Sequence, residues 1–338
     1  MGGKLFSTKR LPKDEYESLR NEVSWILNKH NLKHKVPESF HNKEDFGDLD
    51  IILEFPIISN DKLVKMFGID VEDININSTV VSFKYKDFQV DLCHFPLEDF
   101  ESAYNYYSHS DCSNIIGQLS RYATGYRFTH RGLTYPVKVK PEDMLGEIVV
   151  SKDMKMILEF LDLDFNQWIK GFDDAEQMFE WITKSKYFNP NCFKFENLNH
   201  ENRTRNKKRK VYSEFVEYLN KYNDSNLYFY VPSENKQEHL FNGLLFFYET
   251  NGFWIKEAEQ MISKRTMIQE GNKKFNGLLI KEWTGVENAL IGKIKREFMD
   301  YLSVFHEGTP IENILYSYNK EYIEMMFKRW YLENKKYL

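Results

Sequence analysis

Cysteine is scarce. Only three occur in 338 residues, Cys93, Cys112 and Cys192, and they stand far apart. That excludes a disulfide framework and closely spaced zinc ligands, and fits a reducing, intracellular compartment, cytoplasmic, nuclear or viral-factory alike. Long apolar runs are missing as well. No stretch is apolar enough to span a bilayer and no signal-peptide pattern opens the chain, so the expectation is a soluble protein with no membrane partner. A myristoylation signal also fails: Gly2 follows Met1, but Phe6 occupies the place of the required small hydroxyl and Ser7 comes one residue late. Internal repeats and long low-complexity tracts are absent. Positive charge is not in excess either: 46 Lys and Arg face 51 Asp and Glu, for a net charge of −5. Any contact with nucleic acid must therefore come from a local patch rather than from bulk charge.

What is present suits a folded enzyme-sized protein. Hydrophobic residues make up 42% and aromatics 16% of the chain, and the length suggests roughly two domains with ample core. KDEYESLRNEVSWILNKH (13–30) places Tyr16, Leu19, Val23, Ile26 and Leu27 at helical spacing, with acids in the first turn and Pro12 at its start. A loop over Ser39–Asp45, a strand ended by Pro56 and a short helix over 61–68 follow. TVVSFKYKDFQVDLCHF (79–95) predicts a hairpin turning near Lys86 and Asp87. Helices are expected over 98–107 and Ser113–Ala123, separated by the SHSD break and ended at Gly125. Short strands follow over 126–140, and GEIVVSKDMKMILEFLDLDFNQW (146–168) opens another helix. From Gly171 onward the periodicity is helical: AEQMFEWITKS, VYSEFVEYLNKY, GLLFFYETNGFWIKEAEQMI, FNGLLIKEWTG, LIGKIKREFMDYL and a basic amphipathic end.

The chemistry concentrates in EDFGDLD (Glu44–Asp50), with Ile51, Ile52 and Leu53 behind it. Asp48 and Asp50 are two apart, so on a strand both carboxylates share one face. Such close charges repel unless a cation sits between them. An isolated Asp-x-Asp is usually a solvated strand end. Here, however, FQVDLCHF offers Asp91 on a second strand-like segment. Two adjacent strands would gather Asp48, Asp50 and Asp91 into a ligand set for two Mg²⁺ ions, or Mn²⁺ in their place. That is equipment for phosphoryl and nucleotidyl transfer. A second cluster, NRTRNKKRK, carries Arg203, Arg205, Lys207, Lys208, Arg209 and Lys210. It reads either as a solvated loop before a helix or as a phosphate-binding patch.

Taken in order, KRLPKDE (9–15), Glu38–Ser39, GDLDII (47–52), QVDL (89–92), YYSHSDCSN (106–114), the Gly125 turn and Gly146–Trp168 resemble the nucleotidyltransferase superfamily. The likeness is to the catalytic core of the family X DNA polymerases and covers about residues 5–170. It implies an α+β fold: a nucleotidyltransferase palm with a mixed sheet and flanking helices (1–97) and a nucleotide-binding subdomain of helices and strands (98–170). The half beyond has no counterpart in family X, and its periodicity predicts a mostly helical C-terminal domain (171–338), the expected binding region for a nucleic-acid acceptor. Asp48, Asp50 and Asp91 would be the catalytic metal ligands. Arg10, Ser39, Lys43 and Gly47 would meet the triphosphate of an NTP or dNTP. Tyr106 and Tyr107 would border the sugar, Asp111 would lie against the base and Asn114 would reach its edge.

The pattern is also broken in places. Glu38 replaces the glycine of the family's Gly-Ser turn. His41, Asn42 and Lys43 stand where that loop carries arginines. Gln118 occupies the place of an arginine that meets the template, with Arg121 one turn on as a partial substitute. FNGLLIKEWTG…LIGKIKREF is faintly similar to a helical pair in the tail of CCA-adding enzymes. The expected activity is metal-dependent transfer of a nucleoside monophosphate to a nucleic-acid 3′ hydroxyl, with release of pyrophosphate. Transfer to a protein or small molecule, and an inactive nucleic-acid-binding protein on the same scaffold, stand as alternatives.

Overall fold

Alternation along two strands decides the architecture. The computed structural model describes residues 5–140, 143–221, 229, 231, 243, 245–248 and 252–337. Gly2 and parts of the expected helices over 211–222 and 243–262 lie outside the described residues. The elements of the first part are, in order, β1 (Leu11–Pro12), α1 (Lys13–Lys29), β2 (His34–Lys35), β3 (Asp45–Phe46), β4 (Asp48–Glu54), α2 (Asn60–Phe67), β5 (Ile74–Asn77), β6 (Val80–Tyr85) and β7 (Phe88–Phe95). They are followed by α3 (Phe100–Tyr107), α4 (Cys112–Thr124), β8 (Arg127–Thr129), β9 (Gly132–Lys140), β10 (Asp143–Ser151), α5 (Met154–Phe160), α6 (Phe165–Lys170), α7 (Ala175–Thr183), α8 (His200–Asn206) and α9 (Lys210–Lys221).

A five-stranded mixed sheet runs in the order β2-β4-β7-β6-β5. β4 and β7 are parallel at its centre, and the other pairings are antiparallel. Leu49, Ile51 and Leu53 of β4 and Phe88, Val90 and Leu92 of β7 point to one face, because every second residue does. There they meet the apolar stripe of α1, from Tyr16 to Leu27, and Leu63, Met66 and Phe67 of α2, forming one core. The β6–β7 hairpin turns through Lys86 and Asp87, both left-handed with φ 52° and 61°, the backbone that matches strand twist in a two-residue turn. Gly125 ends α4 in the left-handed conformation, where a glycine carries no Cβ penalty.

The helix expected to open at Gly146 begins later. Ile148, Val149 and Val150 extend β10, the neighbour of β9 in a three-stranded sheet with β8. Three β-branched residues in a row favour that pairing. The helix starts only once Asp153 caps it, its carboxylate accepting the N–H groups of Lys155 and Met156. Gly132 has φ +100°, and a Cβ there would meet the carbonyl oxygen of Ser151 at 2.2 Å. No other residue fits that crossing.

The chain separates into two compact units, residues 1–136 with 147–252 and residues 137–146 with 253–338. The second holds the β9–β10 tip and the helices α10 (Phe253–Lys274), α11 (Gly277–Thr284), α12 (Asn288–Phe305), α13 (Ile311–Ser317) and α14 (Lys320–Asn334). Its core is aromatic, built on Phe275, Phe298, Phe327 and Trp330. The Lys274 ammonium donates to the carbonyls of Leu315, Tyr316 and Tyr318, which tie the end of α13 to α10. Overall the protein is α+β, a mixed sheet with flanking helices followed by a helical C-terminal region.

Leu49 lies between the two strand acids and faces the core, fully buried. Truncation by Leu49→Ala is expected to cost about 2–5 kcal/mol of stability. A urea midpoint unchanged from the wild type would show that this face does not hold the sheet.

Candidate metal centre and its cleft

The acids meet because β4 and β7 pair in parallel with Asp50 opposite Asp91 and Asp48 opposite Gln89. The face that carries them is divided. Toward the strand C-termini, Ile52, Cys93 and Phe95 pack under Phe100 and Ala103 of α3. Toward the N-termini the same face carries Asp48, Asp50, Gln89 and Asp91, beyond that helix. The three carboxylates place a ligand oxygen each within 4.8 Å of one another.

Electrostatics follows from this crowding. The Asp50 carboxyl is pushed up to about 7, first by loss of hydration and then by repulsion from Asp48 and Asp91, while Lys43 pulls it down. Asp50 still presents a solvent-exposed surface, so its desolvation is that of a group recessed in a cleft rather than sealed inside. Repulsion between like charges stands whatever the exact hydration. Asp91 is buried and is held by Gln89, whose Nε2 donates to both of its oxygens at 3.1 and 2.9 Å. The backbone N–H of Leu5 donates to Gln89 Oε1 at 3.1 Å, which sets the amide's orientation.

The donor set is all oxygen and suits a hard divalent cation. Mg²⁺–O distances of about 2.0–2.1 Å put opposite ligands of one ion about 4 Å apart. Carboxylates within 4.8 Å of one another therefore match one ion, or two held close together. The residues fit the group that the sequence implies.

Above the acids opens a cleft of about 1050 Å³. Of the residues singled out in the sequence, it brings together Asp48 and Asp50 with Arg10, Ser39, Lys43, Gly47, Tyr107 and Asp111, and with Arg205, Lys208, Arg209 and Lys210, while the buried Asp91 does not line it. The Lys43 ammonium sits 4.2 Å over the Phe46 ring. Burial holds its pKa below the usual lysine range, against the pull of Asp48. Two arginines are already paired: Arg10 grips Asp45 through Nε at 2.7 Å and Nη2 at 2.8 Å, and Arg209 pairs with Asp111. Glu38, the replacement in the Gly-Ser turn, accepts a hydrogen bond from the Tyr104 hydroxyl at 3.3 Å. The loop beyond it is strapped down, with the N–H groups of His41 and Asn42 donating to the carbonyls of Phe172 and Asp173.

Other expected residues lie elsewhere. Tyr106, Asn114 and Arg121 line a separate, smaller cavity of about 250 Å³, which Arg205 also borders. Arg203 donates to the carbonyl of Leu198 at 2.7 Å and supports its own loop. Lys207 is an exposed helix cap. Sequence reasoning missed the roles of Gln89 and Asp45. Gln89 lies two residues before Asp91, a spacing that on a strand already places both on one face. His200, Glu201 and Thr204 of α8 complete the cleft wall, and nothing in their local sequence signals it.

Comparison with protein-family models finds no match, and comparison with curated protein sequences finds none either. The likeness drawn from the motifs rests on those residues.

Gln89→Ala removes the group that orients Asp91 and is expected to weaken Mn²⁺ binding about 10-fold or more, read by calorimetric titration. Unchanged affinity would show that the amide is incidental. Proton linkage gives a second expectation. Because folding raises the Asp50 pKa, the native protein binds more protons than the unfolded chain between the ordinary aspartate range and about 7. Stability of the metal-free protein therefore falls as pH rises through that window, and divalent metal restores it. Thermal melts at pH 5 and 8, with EDTA or Mn²⁺, check both signs.

Proposed function

We propose that this protein is a metal-dependent nucleotidyltransferase of the polymerase β-like class, moving a nucleoside monophosphate from an NTP or dNTP to a nucleic-acid 3′ hydroxyl. One observation carries the proposal: three carboxylates gathered within 4.8 Å on paired strands, two of which, Asp48 and Asp50, line a cleft that Lys43, Lys208, Arg209 and Lys210 also line. Asp48, Asp50 and Asp91 hold the divalent ions, Mg²⁺ or Mn²⁺. Bound there, those ions supply Lewis-acid stabilisation of the transferring phosphoryl group and lower the pKa of the attacking hydroxyl.

The chain's own residues do the rest by position and charge. Gln89 keeps Asp91 turned toward its partners. Lys43, beside Asp48, faces the entering triphosphate as a fixed positive charge. Lys208 and Lys210 offer further cationic contacts, and Arg10 and Arg209 can exchange their carboxylate partners for phosphate oxygens. Tyr107, half exposed on the cleft wall, borders the sugar. Tyr106 and Asn114, in the separate cavity, are not used for the nucleotide; Asp111 takes part through Arg209. Among the described residues no helix is long and apolar enough to cross a membrane.

The test is protein with Mg²⁺, each labelled NTP or dNTP, and single-stranded RNA, single-stranded DNA, primed duplex or no acceptor. Ladder growth on an oligonucleotide is the expected result. Label on the protein alone would overturn the acceptor, and retention of oligonucleotide without product would overturn the enzyme. Asp91→Ala should lower the rate about 1000-fold or more, the several kcal/mol of barrier that metal-site charge stabilisation supplies. Full activity in that variant would remove Asp91 from the site.

A further inference from the structure

The smaller cavity holds an unbalanced charge. Its floor is one face of α4, where Ser113, Gly117 and Arg121 recur at every fourth position. The Ser113 hydroxyl and Arg121 Nε are buried and have no hydrogen-bond partner among the described residues. Among the described residues Arg205, on the rim, donates only to amide oxygens, Asn114 Oδ1 at 2.8 Å, Asn202 Oδ1 at 3.3 Å and Asn206 Oδ1 at 3.5 Å. Two carboxylates line the cavity. Glu147 is consumed by Arg127 at 2.5 Å, and Glu201 is exposed at the junction with the main cleft. Arg121 and Arg205 thus face the cavity with no ion-pair partner among the described residues.

Buried donors without partners are costly, and adjacent cations more so. A group that accepts several hydrogen bonds and carries negative charge removes both costs. We propose that this cavity is a phosphate-binding pocket, with Arg121, Arg205 and the Ser113 hydroxyl as its donors. At about 250 Å³ it is smaller than the roughly 300–1,000 Å³ of drug-sized ligand sites, so it takes a phosphate and its water rather than a nucleoside triphosphate. The phosphate is either a phosphodiester of the acceptor strand or a free phosphate ion. The first source rests on the transferase proposal, since Glu201 and Arg205 border both cavities and a strand leaving the cleft passes them.

Binding is measured in EDTA without nucleotide, so that failure of nucleotidyl transfer, seen in the labelling assay, leaves this readout intact. Inorganic phosphate is titrated by calorimetry and a single-stranded oligonucleotide by anisotropy across a salt series. Arg121→Gln should weaken phosphate binding about tenfold or more, with partial rescue by Arg121→Lys. Ser113→Ala should weaken it several-fold while leaving the melting temperature equal or higher, because it deletes an unsatisfied buried hydroxyl. That opposite movement of stability and affinity is what a purely structural serine would not show. If the oligonucleotide also loses affinity in Arg121→Gln, and its log–log salt slope drops by about one, the phosphate is a strand phosphodiester. If only inorganic phosphate responds, it is the free ion. Phosphate binding equal in wild type, Arg121→Gln and Ser113→Ala overturns the pocket, as does a lowered melting temperature in Ser113→Ala with unchanged affinity.

Discussion

Mutual repulsion of three carboxylates is the constraint around which the first unit is built. Left to themselves, Asp48, Asp50 and Asp91 would swing into water and apart. Parallel pairing of β4 and β7 forbids that for Asp50 and Asp91, which stand opposite each other. The apolar reverse face, with Leu49, Ile51, Val90 and Leu92 fully buried against helices, prevents either strand from sliding, since a one-residue slip would turn every core side chain outward. The packed fold holds the acids together, and the Asp50 carboxyl is raised first by loss of hydration and then by this repulsion. A divalent cation relieves it. The same packing that strains the acids fixes the geometry a cation meets.

The rest of the cleft shows the complementary device. Its arginines are kept in place by carboxylates, Asp45 for Arg10 and Asp111 for Arg209. The Arg10–Asp45 pair is solvent-exposed, and pairs of that kind are screened and weakly held; the Arg209–Asp111 pair is partly buried on the Asp111 side. An arginine orients well toward a phosphate because its planar fork matches either anion. Under the proposed function, an incoming phosphate would exchange one partner for another and would face no unpaired, collapsed side chain. Glu38 is handled differently, by a hydrogen bond from Tyr104 that holds its carboxylate on the helix α3 side. That is how an acid is tolerated where the likeness to family X polymerases calls for glycine.

Much of this was readable in the sequence, where local periodicity and tertiary outcome agree. α1, the Lys86–Asp87 hairpin and the acid-bearing strands carry strong signals of period 3.6 or 2, and the structure follows them. β10 was not readable, because Gly146–Ser151 runs directly into the helical pattern after Asp153, and only pairing with β9 separates the two. The neighbouring tyrosines misled for a geometric reason. Consecutive residues on a helix point about 100° apart, so Tyr106 and Tyr107 face different cavities, although the motif offers them as one unit. Asp111 and Asn114 part similarly. The first precedes α4 and faces the cleft, while the second lies inside the helix and meets Arg205 and Asn206.

The basic run from Arg203 to Lys210 illustrates why a charge cluster in sequence is not one object in space. Its members fall on either side of the end of α8. Arg203 turns inward to loop carbonyls, Arg205 enters the smaller cavity, Lys207 faces solvent, and Lys208, Arg209 and Lys210 reach the main cleft. The end of α8, the turn after it and the start of α9 distribute one positive stretch to four environments. α8 consequently works as a partition, with Glu201 and Arg205 bordering the space on both sides. The shared Glu201 and Arg205 are the charged side chains through which the two spaces meet.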